Sequence, residues 1–332
     1  MKTIDPREHP VPFVHRTLLS GVAPRPIALV ATVDGEGRHN LSPYSFFNAF
    51  GANPPVIVVS PAYRGKDGTA KHTFENIRDT GEFTVSAVSY SMVEQISLAS
   101  SDYDRGVDEF EKAGFTKLTM DVVAAPGVAE SPFVMECRLL QHVDTGGKPG
   151  SGNLMIAEVL RFHVRDSAFE GERIDPRRLD LVARMGYNWY CRASGDALFE
   201  LPKPGHNGIG VDALPSHIRE SSILTGNDLG KLAGVASLPD ADAVLARWLQ
   251  MSAELMPDSA GPDLFETEMR TGSAQRAVTA LLRAWKYGDR DDAHTAAHLQ
   301  RCVQTALASD DLELAWECAL MADPARIAAL RG

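Results

Sequence analysis

Two polar segments contain the side chains best suited to chemistry. Residues 42–48 place hydroxyls, an amide and aromatic rings at the end of a predicted strand, and residues 66–73 place lysines and hydroxyls before a predicted helix. Lysine side chains beside the free N–H groups and the positive dipole end of a helix N-terminus form a natural phosphate site. The alternative is an ordinary helix cap with solvated lysines, and local features leave both interpretations open.

Other chemistries lack their motifs. The sequence has no Gly-x-Ser-x-Gly, no Walker loop and no Gly-x-Gly-x-x-Gly opening a helix after a strand, so hydrolase chemistry and nucleotide binding by the common α/β routes are unsupported. His294 and His298 are four residues apart, but no glutamate follows His294 as in a zinc-protease helix. We expect these histidines to lie on a helix surface and expect no metal site.

The composition excludes several classes of protein. The chain has 332 residues, and 33 Lys and Arg against 44 Asp and Glu give a net charge of −11, which argues against a nucleic-acid-binding surface. Four scattered cysteines without a Cys-x-x-Cys pair favour a reducing compartment. We expect no signal peptide and no membrane span, because no window reaches the roughly 18 apolar residues that a span needs. The protein is expected to be soluble and cytoplasmic.

Strands are predicted to position the two polar segments. Short apolar runs rich in β-branched residues, bounded by turn residues, are typical of strands, and their continuous character indicates burial on both faces. Asp34-Gly35-Glu36-Gly37 is a hairpin turn signal. Together these features predict a barrel-like β domain with one or two helices. The predicted strands are residues 27–33, 38–46, 56–60, 83–88, 133–142 and 154–164, and the predicted helices are residues 70–80 and 92–99.

The pattern changes after about residue 202. Residues 202–208 are rich in Pro and Gly and are predicted to form a linker or extended arm. Farther on, Ala- and Leu-rich segments with a period near 3.6 predict helices. The predicted domains are residues 1–200, an extended arm or linker at 201–240 that crosses a dimer interface, and an α-helical region at 241–332. The predicted buried faces are Ala277, Val278, Leu281, Leu282 and Trp285, and Leu312, Ala315, Trp316, Ala319 and Leu320.

The order of several short motifs is more specific than any one of them. In that order they resemble the flavin reductase-like family of FMN-binding split barrels, in the branch that includes flavoredoxin, over about residues 15–193. The resemblance implies a mainly β split barrel of Greek-key type with short helices, FMN bound non-covalently at a homodimer interface, and NADH or NADPH as electron donor. The motifs are residues 24–34, 40–48, 53–55, 71–77, 81–83, 107–115, 136–137 and 184–190.

The resemblance also implies roles for individual residues. Lys71 and Thr73 would bind the FMN phosphate, and Arg25 would contact an anionic or carbonyl oxygen of the flavin. The ribityl chain and the ring would be lined by Thr32, Ser45, Phe46, Phe47 and Asn48.

Three further residues are the catalytic candidates. His163, Arg184 and Tyr190 would form the face on which nicotinamide or another substrate stacks, since the protein supplies orientation and electrostatics for hydride transfer. In the alternative interpretation His163 is only hydrogen-bonded on its strand, and Arg184 pairs with Glu136 or Asp180.

Three functions follow from this sequence. The first is an NAD(P)H-dependent flavin reductase acting on a small-molecule substrate. The second is an oxidoreductase with a fixed FMN that serves a specific organic substrate or a redox partner protein. The third is a flavin-binding assembly protein that works through its helical tail.

Overall fold

A computed structural model describes residues 1–201, 203, 207–255, 264–287 and 292–330. Residues Met1–Glu200 form one compact unit and Leu201–Gly332 a second. Strands dominate the first unit. They are β1 Arg25–Pro26, β2 Ala28–Val33, β3 His39–Tyr44, β4 Phe47–Ala52, β5 Pro55–Val59, β6 Glu82–Ala87, β7 Lys117–Leu118, β8 Gly127–Val128, β9 Phe133–Asp144, β10 Asn153–Val164, β11 Phe169–Glu170, β12 Arg173–Ile174, β13 Val182–Arg184 and β14 Tyr190–Arg192.

Strand β2 shows why its apolar run is continuous. Side chains alternate between the two faces of a strand, and each face of β2 enters a different core. Leu29 and Ala31 pack into one cluster with Phe110, and Ala28 and Val30 pack into the other. Both faces are therefore buried, as the sequence predicts.

The main sheet closes on itself at Ser45 and Phe46. Within the described part of the chain its antiparallel order is β3-β2-β6-β9-β10-β5-β4, so β3 and β4 are its two edges. Only two residues separate Tyr44, the end of β3, from Phe47, the start of β4. Three residue steps span at most about 10 Å, so the sheet must curl until its edges meet at this point.

Strand β4 differs from the sequence prediction. The predicted strand 38–46 ends two residues early, at Tyr44, and Phe47–Ala52 forms a strand of its own at the opposite edge. Its sequence, FNAFGA, contains Asn, Gly and Ala, which are depleted in strands. Pairing with β5 places it in the sheet despite this low propensity.

The helices of the first unit lie around this sheet. The predicted helix at 70–80 begins at His72, buries Phe74 and Ile77, and ends at Thr80. The next residue, Gly81, forms a left-handed cap through its φ of 75° and its N–H bond to the Ile77 carbonyl. The Asp34 hairpin turn is confirmed between β2 and β3. The helices are α1 Val11–Gly21, α2 His72–Thr80, α3 Val93–Ala99, α4 Glu109–Ala113 and α5 Pro176–Leu179.

The second unit is helical, as predicted, and has its own core. Ala277, Val278 and Trp316 are buried there, whereas Leu312, on a predicted buried face, is 38% exposed at the first turn of its helix. The helices are α6 Ser216–Arg219, α7 Gly226–Leu232, α8 Ala241–Glu254, α9 Leu264–Arg270, α10 Ala274–Tyr287, α11 Asp292–Ala308, α12 Leu312–Met321 and α13 Pro324–Leu330.

Residues 207–240 do not form the predicted extended arm in the structure. They include α6 and α7, and Leu214, Ile218 and Leu232 are buried in the core of the second unit. Burying these apolar side chains in the helical core is more favourable in free energy than leaving them exposed on an extended arm. Of the predicted linker 202–208, residues 202 and 204–206 lie outside the described residues, as does the Trp285 side chain.

The helices in the described part of the chain are each too short or too polar to cross a membrane.

Candidate functional site

A cavity of about 360 Å³ lies at the point where the sheet closes. Closure places Ser45 and Phe46 in its wall, and Lys71, the residue just before α2, also lines it. The structure thus brings three of the predicted cofactor-binding residues together. The lining residues are His15, Leu19, Pro43, Tyr44, Ser45, Phe46, Ser60, Ala62, Tyr63, Arg64, Gly65, Lys66, Lys71 and Asp102.

One side of this cavity is basic. Arg64 is fixed by an ion pair of 2.9 Å from its Nε to Asp102 Oδ1 and by a bond to the Ala70 carbonyl. Lys71 is partly buried, and its ammonium has no hydrogen-bond or ion-pair partner within the described ranges. Burial first, and the charge of Arg64 second, lower the pKa of Lys71. A desolvated, unpaired ammonium beside a second cation favours an anionic ligand.

Thr73 is used differently from the prediction. Its hydroxyl donates to Asn40 Oδ1 at 2.6 Å and accepts from the Tyr44 hydroxyl at 2.9 Å. Asn40 Nδ2 in turn donates to buried Glu109 at 2.8 Å. Thr73 is fully buried and does not line the cavity, so its side chain fixes α2 against β3.

Three other predicted contacts also lie outside the cavity lining. Thr32 is buried and accepts from Asn76 Nδ2 at 2.9 Å, a bond that joins β2 to α2. Phe47 packs against the sheet core. Asn48 is exposed, and its Oδ1 accepts from the Ala49 N–H at 2.8 Å.

Arg25 lies beside the cavity, but its donors are already used. Its Nη1 donates to the carbonyls of Leu19 and Val22, at 2.8 and 2.5 Å, and its Nη2 donates to the Met185 carbonyl at 3.1 Å. Its Nε reaches Ser45 Oγ at 3.4 Å. At 5% exposure, Arg25 ties α1 to a distant loop rather than presenting a free cation.

A second cavity, of about 210 Å³, shares Pro43, Tyr44 and Ser45 with the first. It contains two of the predicted catalytic residues, and the Arg184 guanidinium lies 4.4 Å above the centroid of the Tyr190 ring. The predicted partners of Arg184 are occupied, because Asp180 pairs with Arg192 and Glu136 with His163. The lining residues of the second cavity are Ile27, Pro43, Tyr44, Ser45, Ile96, Ser100, Arg184 and Tyr190.

His163 is not brought to either cavity. Met155 on β10 pairs with Val59, which also pairs with Phe47 near the closure. His163 lies eight residues beyond Met155 on β10. At about 3.3 Å per residue, the two residues are roughly 25 Å apart. This separation removes His163 from the predicted stacking face.

His163 instead belongs to a hydrogen-bonded cluster. Its Nε2 lies 2.7 Å from Oε1 of fully buried Glu136, whose Oε2 accepts from the Val122 and Val123 N–H groups. Burial alone would raise the pKa of Glu136, but these hydrogen bonds outweigh it and lower the pKa. Asp121 lies within 4.8 Å of both and pairs with Arg161.

Part of the first cavity is formed by residues that the sequence does not predict. Arg64, Tyr63 and Asp102 were not predicted to take part, although the basic pair Arg64 and Lys66 just before the predicted helix was a usable signal. Asp102 gave no signal, because only the fold places it against Arg64.

Comparison with known proteins agrees with the geometry. Residues 20–182 match the model of the flavin reductase like domain. An uncharacterized protein of Halalkalibacterium halodurans is 36% identical over 192 residues, which are 57% of this chain and 90% of that protein. The chain belongs to the flavin reductase-like family.

Solved structures place the chain in the same family. Nitrilotriacetate monooxygenase component B from Bacillus cereus is 34% identical, with a TM-score of 0.57 over 60% of this chain and 98% of that one. A Shewanella frigidimarina protein described as a flavin reductase with a split barrel domain is 30% identical, with a TM-score of 0.52 over 59% and 95%. The predicted split barrel is confirmed, and the chain is a flavin-related oxidoreductase.

Proposed function

We propose that the chain binds FMN, with its phosphate in the first cavity, and reduces it with NADH or NADPH. The observation that supports this most is the partly buried Lys71 ammonium, which has no partner among the described residues. Arg64 and Lys66 add positive charge to the same cavity. A volume of about 360 Å³ lies within the roughly 300–1,000 Å³ range of small-molecule sites. The residues present therefore fit an FMN phosphate.

Each group has a role in orienting the cofactor. Lys71, Arg64 and Lys66 would bind the phosphate, and Ser45 and Phe46, where the sheet closes, would contact the remainder of the molecule. When bound, FMN supplies the redox chemistry by accepting a hydride from a nicotinamide and passing electrons on. Arg184 and Tyr190 lie across the wall that the two cavities share, so they would position the hydride donor or the acceptor.

The direct test is to purify the full chain, denature it and identify the released flavin. Anaerobic addition of NADH or NADPH to the reconstituted protein should then bleach the flavin absorbance. A protein that retains no FMN after reconstitution would contradict the proposal. A protein that binds FMN but is reduced by neither nucleotide would contradict the choice of electron donor alone.

We also propose a homodimer. Helix α1 has no buried residue, and Val11 and Leu18 on it are 58% and 51% exposed. Phe50, on the edge strand β4, is 68% exposed. Exposed apolar surface of this kind favours burial against a partner. Light scattering coupled to size exclusion should give twice the chain mass, and a monomer mass at micromolar concentration would refute the dimer.

A fixed FMN that serves an organic substrate is the second candidate, favoured by the separate cavity beside Ser45. Steady-state kinetics would distinguish the two. A free-flavin reductase shows saturable dependence on added FMN, whereas an enzyme with a fixed flavin does not.

A further inference from the structure

Arg184 carries an unsatisfied cation at the second cavity. It is partly buried, and its guanidinium contacts the Tyr190 ring but has no hydrogen-bond or ion-pair partner in the described part of the chain. Arg25, its register partner on the adjacent strand, has bonds to three backbone carbonyls. Two arginines thus occupy paired positions on neighbouring strands, and only the guanidinium of Arg25 is satisfied by hydrogen bonds.

The local charge favours an anion. Arg184 is one of the causes that lower the pKa of Arg25, after burial, so the two cations repel each other. An anion paired with Arg184 would relieve this repulsion and replace the lost hydration of the guanidinium. The planar fork of an arginine matches a carboxylate through two parallel hydrogen bonds.

The remainder of the cavity fits one aromatic ring. Ile27, Pro43 and Ile96 supply apolar walls. A cavity of about 150 Å³ is enough for benzene, so a volume of about 210 Å³ holds a ring and a carboxylate. It is below the roughly 300 Å³ at which sites for larger ligands begin, which disfavours a whole dinucleotide.

Two hydroxyls in the wall already donate hydrogen bonds within the protein. Tyr44 donates to Thr73 at 2.9 Å, and Ser100 donates to the Ser97 carbonyl at 2.6 Å. Arg184 carries the charge in this lining and is therefore the group best placed to select an ionic ligand.

We propose that the second cavity is a substrate subsite for a small planar organic acid, whose carboxylate pairs with Arg184. The inference rests on the proposed function, because the wall formed by Pro43, Tyr44 and Ser45 places the ring beside the cavity assigned to FMN. Arg184 is then a specificity-determining residue rather than a general cation.

Calorimetric titration of the FMN-reconstituted full chain with benzoate and its neutral analogue benzamide tests this subsite. Wild type should bind benzoate at least about tenfold more tightly than benzamide, as expected for a charge-assisted bidentate pair. Arg184→Gln should abolish the preference, and Arg184→Lys, which keeps the charge but loses the fork, should retain only part of it. Arg192→Gln is the matched control, because Arg192 lies in the same hairpin but pairs with Asp180.

The subsite would be overturned by equal affinities for benzoate and benzamide, by equal losses in Arg184→Gln and Arg192→Gln, or by Arg184-dependent binding of 2′-AMP in place of benzoate. FMN content is measured on the same samples. FMN retention without benzoate binding refutes the subsite alone, whereas absence of FMN refutes the proposed function, and titration of the FMN-free chain then decides the subsite.

Discussion

Nη2 of Arg25 donates to the carbonyl of Met185 at 3.1 Å, across 160 positions of sequence. Met185 begins the loop between β13 and β14, the hairpin that presents Arg184 and Tyr190. The same loop touches α1, where a Cβ on Gly186 would come within 2.7 Å of Ser20 Oγ. The second cavity therefore depends on a buried arginine that lies outside its own lining.

Replacing Arg25 should destabilise the first unit. The side chain in Arg25→Gln is too short to reach the three carbonyls and leaves these part-buried acceptors without their donor, at a cost of about 2 kcal/mol. For a unit of about 200 residues this lowers Tm by roughly 4–8 °C. Calorimetry of the full chain measures the change. The control is Arg173→Gln, which replaces an exposed arginine on β12. Equal decreases in Tm for the two variants would refute this stabilising role of Arg25.

Glu109 should make stability depend on pH. Its two carboxylate oxygens accept from Asn40 Nδ2 and the Leu41 N–H, and burial raises its pKa above the ordinary 4.5. In Glu109→Gln the NH₂ group of the new amide faces a donor instead of an acceptor. We therefore expect the free energy of unfolding to fall by about 1–2 kcal/mol.

The sign of this pH effect follows from the raised pKa. The folded state takes up a proton at higher pH than the unfolded state, so its stabilising contribution is present at low pH and is lost as pH rises through the folded pKa. Urea unfolding should show the gap between wild type and Glu109→Gln widening as pH falls from 7 toward 4.5. Exposed Glu111→Gln should show no such change, and a gap that narrows would contradict the assignment.

FMN affinity should fall on the alkaline side because of Lys71. Burial and Arg64 lower the pKa of Lys71, so its ammonium is lost below the ordinary value of 10.5, whereas the phosphate keeps its charge above its second pKa of about 6. The dissociation constant for FMN should rise as pH increases through that lowered pKa. Parallel pH profiles for wild type and Lys71→Met would count against this role.

The sequence predicts those strands and site residues whose signals lie within short contiguous segments of the chain. Continuous apolar runs predicted β2, β5, β6, β9 and β10, and the order of motifs predicted that Ser45, Phe46 and Lys71 share a site. Strand β4 was missed because its residues have low β propensity, and sheet pairing rather than propensity determines it.

Side chains whose partners are distant in sequence were not predictable. Thr73 and Arg25 have suitable chemistry for FMN, but Asn40 and the Met185 carbonyl occupy their donors. His163 was misplaced because the register between β10 and β5, which no local pattern encodes, sets its distance from the closure.

Recognition of the FMN phosphate by Lys71 is tested most directly by comparing the binding of FMN with that of riboflavin, which lacks the phosphate. Fluorescence titration of wild type should show tighter binding of FMN than of riboflavin. Lys71→Met should weaken FMN binding about 10- to 100-fold, as expected for a hydrogen bond between charged groups, and should leave riboflavin binding unchanged. Lys148→Met, an exposed lysine outside the cavity, should alter neither affinity. Equal losses for FMN and riboflavin in Lys71→Met, or no loss for either, would contradict the account.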